Sequence, residues 1–256
     1  MGIEIAIAES PLVTIVTVVF NGEQFLEETI QSVINQTYPN IEYIVIDGGS
    51  TDGTSEIIHK YGHAIDYWVS EKDAGIYDAM NKGIAQATGQ WINFMNCGDQ
   101  LASINIVSEL VQRCSLDADF IMGDVLILNH DQSRVVSTYP KAKYSMPTCH
   151  QAIFYKLDVL RNFKFDTLYK VGADFNQYVR ITSARKKSRI NFYNGTIAKV
   201  TAGGYSAQNE SILQQDYFQT IRVYRGLLPA CQFLLGRNVK SWMRGLLTKS
   251  GVMKTI

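Results

Sequence analysis

Nothing in this 256-residue chain approaches the ~20 consecutive apolar residues that a membrane-spanning helix needs; the longest candidate, 226–236, is cut by Pro229 and Gln232. Paired cysteines are missing too. Cys97, Cys114, Cys149 and Cys231 form no CxxC pair and no short framework, which argues against a zinc ribbon or a disulfide scaffold and makes a reducing cytoplasm the simplest location. The Met1-Gly2-Ile3-Glu4-Ile5-Ala6 start carries no basic segment ahead of an apolar stretch, so no signal peptide is expected. Net charge is absent as well: Lys plus Arg and Asp plus Glu each total 24, and nothing favours nucleic acid as a partner. No GxGxxG follows the first apolar run and no Walker A pattern occurs, which leaves a dinucleotide site or a P-loop without support. A nucleotidyltransferase would be expected to carry a glycine-rich loop with Arg and Lys at that point, and Val18-Val19-Phe20-Asn21-Gly22 has no cation.

What is present is an alternation of elements. Leu12 to Phe20 is apolar or Thr throughout, the pattern of a strand buried on both faces of a parallel sheet. Phe25, Leu26, Ile30, Val33 and Ile34 recur at helical spacing, and Pro39 follows. Ile41 to Ile46 is a second buried strand, and Ser50 or Thr51 can cap the helix that carries Ile57 and Ile58. Ile65 to Val69, the helix Ile76 to Ala87 and the strand Trp91 to Met95 continue the order. Strands alternating with helices imply right-handed crossovers and a parallel sheet. After a helix over Ser103 to Cys114 the pattern becomes α+β. Phe120 to Leu128 and Arg134 to Tyr139 suggest a hairpin around Asn129-His130-Asp131-Gln132, Ala152 to Tyr155 a short strand, and Phe175 to Lys187 a helix with a basic end. Ile190 to Tyr193 and Thr196 to Thr201 follow as strands, then Ser211 to Tyr224 as a helix. One compact unit is expected, with halves at 10–102 and 103–215 and a tail at 216–256.

Two acidic turns stand where such a sheet presents its carboxyl ends: Asp47-Gly48-Gly49-Ser50-Thr51-Asp52 and Asn96-Cys97-Gly98-Asp99. Ligands bind at that edge in open α/β sheets. The carboxylate of Asp47 can accept the N3–H of a uracil or the N1–H of a guanine, and the glycines after it let backbone approach a ligand. The turn is equally good turn and N-cap chemistry. Asp99 suits a hard cation, Mg²⁺ or Mn²⁺, which takes one or two carboxylates plus substrate phosphates, with Asn96 adding a carbonyl or a ribose contact. A plain β-turn is the competing reading. His59 and His63 could be drawn as a metal pair, but no third ligand is evident and a solvated helix face explains them better.

Val18-Val19-Phe20-Asn21, Asp47 to Thr54, Ser70 to Gly83 with its Tyr77-Asp78-Ala79-Met80-Asn81-Lys82-Gly83 segment, and Asn96 to Asp99 fall in one order over roughly the first hundred residues. In that order the chain resembles the family 2 bacterial glycosyltransferases of GT-A fold, most of all the colanic-acid and O-antigen polysaccharide type. The resemblance implies an α/β, Rossmann-like and mostly parallel central sheet, a more irregular α+β acceptor half and a basic amphipathic helical tail. It further implies an inverting, metal-dependent transfer of one sugar from a nucleotide-diphosphate donor, UDP ahead of GDP, to a hydroxyl of a growing, lipid-diphosphate-linked surface glycan. Donor contacts are implied at Thr17, Val19, Asn21, Asp47, Gly49, Asp73, Asn81, Lys82 and Asn96, and substrate contacts at Tyr77, Asp78, His150 and Gln151. Asp99 is the implied ligand of Mn²⁺ or Mg²⁺. Lys170-Val171-Gly172-Ala173-Asp174 resembles the stretch that supplies the catalytic base, making Asp174 the candidate; a core histidine and a helix N-cap remain the alternatives for His150 and Asp174. Two departures stand out: Gly98 occupies a position where relatives often carry a second aspartate, and so does Gly48. Gly98, at the metal turn, leaves open a non-catalytic nucleotide-binding or scaffold subunit with a degenerate metal turn as the alternative function.

No acidic residue follows Asp216, whereas Arg222, Arg225, Arg237, Lys240, Arg244, Lys249 and Lys254 do, interleaved with Phe218, Ile221, Leu227, Leu228, Leu235 and Trp242. A basic amphipathic segment of this kind fits an anionic membrane surface, at ~1 kcal/mol per cation near it, so 217–256 is expected to hold the protein peripherally at the inner membrane face. A helix packed on the body, or a contact in a homo-oligomer, is the other reading.

Overall fold

The computed structural model describes residues 10–129, 133–138, 144–185 and 188–235. The hairpin turn expected at His130 to Gln132, the basic helix end at Lys186 and Lys187 and the tail beyond residue 235 therefore lie outside it. The elements are β1 (Val13–Val19), α1 (Leu26–Ile34), β2 (Ile41–Asp47), α2 (Thr54–Lys60), β3 (Tyr67–Ser70), α3 (Ile76–Gln86), β4 (Trp91–Phe94), β5 (Gln100–Leu101) and α4 (Ile106–Arg113), followed by β6 (Phe120–Leu128), β7 (Arg134–Val136), β8 (Ile153–Lys156), α5 (Leu157–Asn162), α6 (Ala173–Ala184), β9 (Ile190–Thr201), α7 (Tyr205–Gln208) and α8 (Glu210–Arg225).

All strands join one sheet in the order β3-β2-β1-β4-β8-β6-β9-β5, with β7 on β6. The first four are parallel; β8 runs antiparallel to β4 and to β6, and β9 runs parallel to β6. Every residue of β1 is buried, because it lies between β2 and β4 with helices on both faces. Side chains of a strand alternate between faces, and the two cores divide accordingly. Val16 and Val18 join Ile44, Ile46 and Met80 on one side, while Val13, Ile15 and Val19 join Tyr43, Val45, Leu26 and Ile30 on the other.

The register sets the carboxyl edge. Val19 pairs with Asp47, and Asp47 with Ser70. The Met95 and Cys97 amides donate to the Val16 and Val18 carbonyls, which carries the turn after β4 to the same edge beside β1.

Several local expectations are corrected. Neither Ser50 nor Thr51 caps α2; it starts at Thr54 behind Gly53, and Thr54 and Asp52 bond to each other. The two strands expected over 190–201 are one strand whose bulge opposes Met122 to Val125. Helix α6 begins at Ala173, two residues early. His59 lies edge-on to Trp68 with its Nδ1 at the Ser55 carbonyl, and His63 sits on a separate 3-10 turn, so the pair shares no helix face.

Candidate active site

At the carboxyl edge lies a cleft of about 840 Å³, lined by the ends of β1 and β2, the loop before α3, the turn after β4 and, from the opposite side, Thr167, Tyr169, Lys170 and Tyr205. That volume is in the range of small-ligand sites. Of the residues expected to contact donor or substrate, Val19, Asn21, Gly49, Asp73, Tyr77, Asp78 and Asn96 line it.

Thr17, Asp47, Asn81 and Lys82 are placed behind the lining. Thr17 is buried and bonds the Tyr43 hydroxyl. Asn81 pins the 165 loop from both ends of its amide, donating to the Phe165 carbonyl and accepting from the Phe165 N–H. Lys82 pairs with Glu71 at 2.7 Å. Asp47 is fully buried, and its carboxylate accepts from the Ser50 amide and from the Ser50 and Ser70 hydroxyls. It builds the turn from below.

The glycines after Asp47 then acquire a geometric reason. A Cβ on Gly48 would come within 2.6 Å of Asp73 Oδ2, so the carboxylate of Asp73 occupies the space beside this turn that a side chain at 48 would take. Gly49 is left-handed at φ +83°, and Lys72 N lies 3.2 Å from where its Cβ would be. The loop between β3 and α3 thus folds over the turn. Asp73 accepts from the Gly75 amide and Asp78 from the Ala74 amide, which shapes that loop at the rim.

The turn after β4 is tied to distant residues. Asn96 Nδ2 lies 2.9 Å from His150 Nε2, and Gln151 Nε2 donates to Asp99 Oδ2 at 2.6 Å. His150 and Gln151 occupy a 3-10 turn ahead of β8. The other ring nitrogen of His150, Nδ1, stands 3.7 Å from Asp174 Oδ2. Five candidate residues from three separate segments, Asn96, Asp99, His150, Gln151 and Asp174, therefore converge. Asp174 lies in the first turn of α6, where its Oδ1 accepts the Phe175 amide. Tyr77, which lines the cleft, donates its hydroxyl to the Val171 carbonyl at 2.6 Å, just ahead of this helix. Burial, and secondarily the Asp174 charge, raises the Tyr77 hydroxyl well above its ordinary value.

Burial pushes the Asp99 carboxyl up to about 6, against the downward pull of the Gln151 bond and of His150. Gly98 has φ +93°, a backbone that L side chains rarely adopt, so a side chain at this position would be strained. Asn96 Oδ1 is buried and has no hydrogen-bond partner although the residue lines the cleft. Among the described residues no group of three or more His, Cys, Asp or Glu is placed to hold a metal ion by itself. The oxygen donors at the turn are Asn96 Oδ1 and the Asp99 carboxylate, a hard set that fits a cation sharing its shell with a diphosphate.

The match to the family model described as glycosyl transferase family 2 covers residues 14–171, more than half of the chain. This chain is a member of glycosyl transferase family 2. Among its relatives is a PGL/p-HBAD biosynthesis glycosyltransferase of Mycobacterium tuberculosis, 28% identical over 182 residues, 68% of this chain and 71% of that one. Another glycosyltransferase of the same species is 39% identical over 107 residues, 41% of each chain. The chain thus spans about two fifths of the length of this higher-identity relative. Its fold is that of GT-A glycosyltransferases. S. aureus TarS 1-349 in complex with UDP matches at TM-score 0.64 with 16% identity, over 87% of this chain and 69% of that one. The Pyrobaculum calidifontis mannosyltransferase PcManGT, solved with GDP-Man and Mn²⁺, matches at 0.60 with 18% identity, over 96% and 81%.

Thr167 and Tyr169 on the cleft's far wall carried no signal in the sequence, and Phe20, Phe25, Lys72, Lys170 and Tyr205, although within or beside recognised segments, were not expected as ligand contacts.

Proposed function

We propose that this family 2 member is an inverting glycosyltransferase that moves one sugar from a nucleoside-diphosphate donor, UDP ahead of GDP, to a hydroxyl of a growing, lipid-diphosphate-linked surface glycan of the colanic-acid or O-antigen type. The observation that carries this reading is the meeting of Asn96, His150 and Asp174 beside a nucleotide-sized cleft at the carboxyl edge of the sheet. Neighbours in fold solved with UDP and with GDP-Man support a nucleotide sugar as donor.

In the proposed reaction the nucleoside lies against the ends of β1 and β2, with Asp73 at the base and Lys72 and Lys170 supplying positive charge to the wall, while Asp47 holds the turn beneath it. The acceptor oxygen attacks the anomeric carbon from the face opposite the diphosphate. The carbon–oxygen bond to phosphate breaks, and its electron pair leaves with the nucleoside diphosphate. Asp174 accepts the proton of the attacking hydroxyl; the Phe175 amide orients that carboxylate, and His150 stands 3.7 Å from its other oxygen. Mn²⁺ or Mg²⁺, held by Asp99 and Asn96 together with the diphosphate, would supply Lewis-acid neutralisation of the leaving group.

Asp174→Asn keeps the shape and removes the base. It should lower transfer by at least roughly 10²-fold, the scale of general-base catalysis, while the thermal shift produced by donor is retained. Transfer at the wild-type rate would sink the assignment. The scaffold alternative draws on Gly98, whose left-handed backbone leaves one carboxylate at the turn. Metal-dependent hydrolysis of a nucleotide sugar without acceptor would exclude it.

A further inference from the structure

Helix α8 and the helical stretch at 227–235 split their apolar residues between two environments. Tyr217, Ile221, Ala230 and Phe233 are buried in the core that also holds Phe175 and Tyr178, and the Tyr217 ring stacks on Phe175 at 4.1 Å. Over residues 217–235 these contacts follow the other reading, a helix packed on the body. A second set has no such cover: Val223, Leu227, Leu228 and Leu235 are each more than 60% exposed, and Tyr224 is 40% exposed. Exposed Arg222 lies beside them. Gly226, left-handed at φ +93°, turns the chain between the two helical stretches, so that Val223 and Tyr224 before it and Leu227 and Leu228 after it form one short cluster in sequence around a bend.

We infer that this bend, Val223 to Leu228, is a docking surface for an anionic lipid bilayer, independently of which donor or acceptor the cleft takes. Exposed aliphatic side chains flanked by Arg match the boundary between acyl chains and anionic headgroups, where the side chains enter the apolar layer and the guanidinium stays with the phosphates. Charge decides against a symmetric second copy of the chain. No acidic residue follows Asp216, so an isologous contact through this bend would set Arg against Arg with no carboxylate from the same segment to offset them. The five further cations at Arg237, Lys240, Arg244, Lys249 and Lys254 add attraction of the same sign.

The surface adjoins the cleft. Tyr169, which lines the cleft, packs against the core that holds Tyr217 and Ile221 of α8. Its neighbour Leu168 is 83% exposed, and Tyr205 at the cleft rim is 55% exposed. Docking through the bend therefore brings this rim close to the lipid surface, where an acceptor carried on a lipid would be presented.

The test is flotation of the full chain with pure phosphatidylcholine vesicles and with vesicles containing phosphatidylglycerol, without any sugar nucleotide. Binding is expected to the anionic vesicles and to weaken as salt is raised. The double variant Leu227→Asp, Leu228→Asp changes two exposed positions and should melt like the parent while its partition to anionic vesicles falls about tenfold or more. Double-variant binding equal to the parent's would show that the tail cations suffice and overturn the assignment of the bend. So would a parent chain that stays with the buffer in both vesicle types, and so would a parent dimer that the double variant dissolves into monomers without any vesicle binding. Loss of transferase activity plays no part in these outcomes.

Discussion

Single residues at the turn after β4 hold opposite demands. Asp99 is nearly fully buried, and its carboxyl is driven up to about 6 chiefly by that burial. A group that binds its proton more tightly in the folded chain than in the unfolded one favours folding below the ordinary carboxylate range, and that contribution is lost as pH rises through about 6. In the ligand-free protein, ionised Asp99 thus costs stability at neutral pH. Asp99→Asn keeps an acceptor for Gln151 without charge and should raise stability at pH 7 by up to roughly 3 kcal/mol, seen as a higher thermal midpoint, with little change near pH 4. A lowered midpoint at pH 7 would contradict this. Gly98 poses the steric counterpart. At φ +93° an aspartate is strained, so Gly98→Asp should cost roughly 1–2 kcal/mol. It should leave Mn²⁺ affinity, measured by calorimetry, no tighter than in the parent.

At the scale of elements, the candidate base is held by helix packing from behind. Asp216 on α8 accepts both the Val171 and Gly172 amides, at 2.9 and 3.0 Å, just ahead of Asp174. A Cβ on Gly172 would meet Asp216 and Tyr217 at about 3.0 Å, so α8 sits directly against the loop. Tyr77 of α3 holds the Val171 carbonyl from the other side. Asp216→Ala leaves two amides short of a charged acceptor and should destabilise by about 2 kcal/mol, each bond to a charged group being worth that order. Turnover should fall more than donor KM rises, because the base moves while the nucleotide wall stands. Asp216→Asn, which retains one acceptor oxygen, should recover most of both; equal defects in the two variants would argue against the clamp.

Over the whole molecule, what could be read in advance follows burial. The β1, β2 and β4 runs were plain because strands covered on both faces carry mostly apolar or β-branched side chains, with few interruptions such as Glu42 and Asn93. The α5 and α7 helices were not, since six and four residues are too few to display a helical period. Strand β5, only two residues long, exists through its pairing with β9 a hundred residues later. The site divides in the same way. Asp47, Asn96 and Asp99 sit at strand ends and announce themselves by position. That Asp47 is enclosed by Ser50 and Ser70, and that Asn96 and Asp99 are latched to His150 and Gln151, depends on contacts across the sheet that no local pattern encodes.

The central claim is that the cleft between these elements takes a nucleoside-diphosphate sugar. The measurement closest to it is the thermal midpoint of the purified chain with UDP-sugars and GDP-sugars, each with and without Mn²⁺. A ligand that binds only the folded state stabilises by mass action, about 2.7 kcal/mol at a hundredfold excess over Kd. A UDP-sugar is expected to raise the midpoint, more with Mn²⁺ than without, and Asp99→Ala is expected to erase the Mn²⁺ increment. An unchanged midpoint with every nucleotide sugar at millimolar concentration, in a chain that otherwise melts cooperatively, would contradict the account.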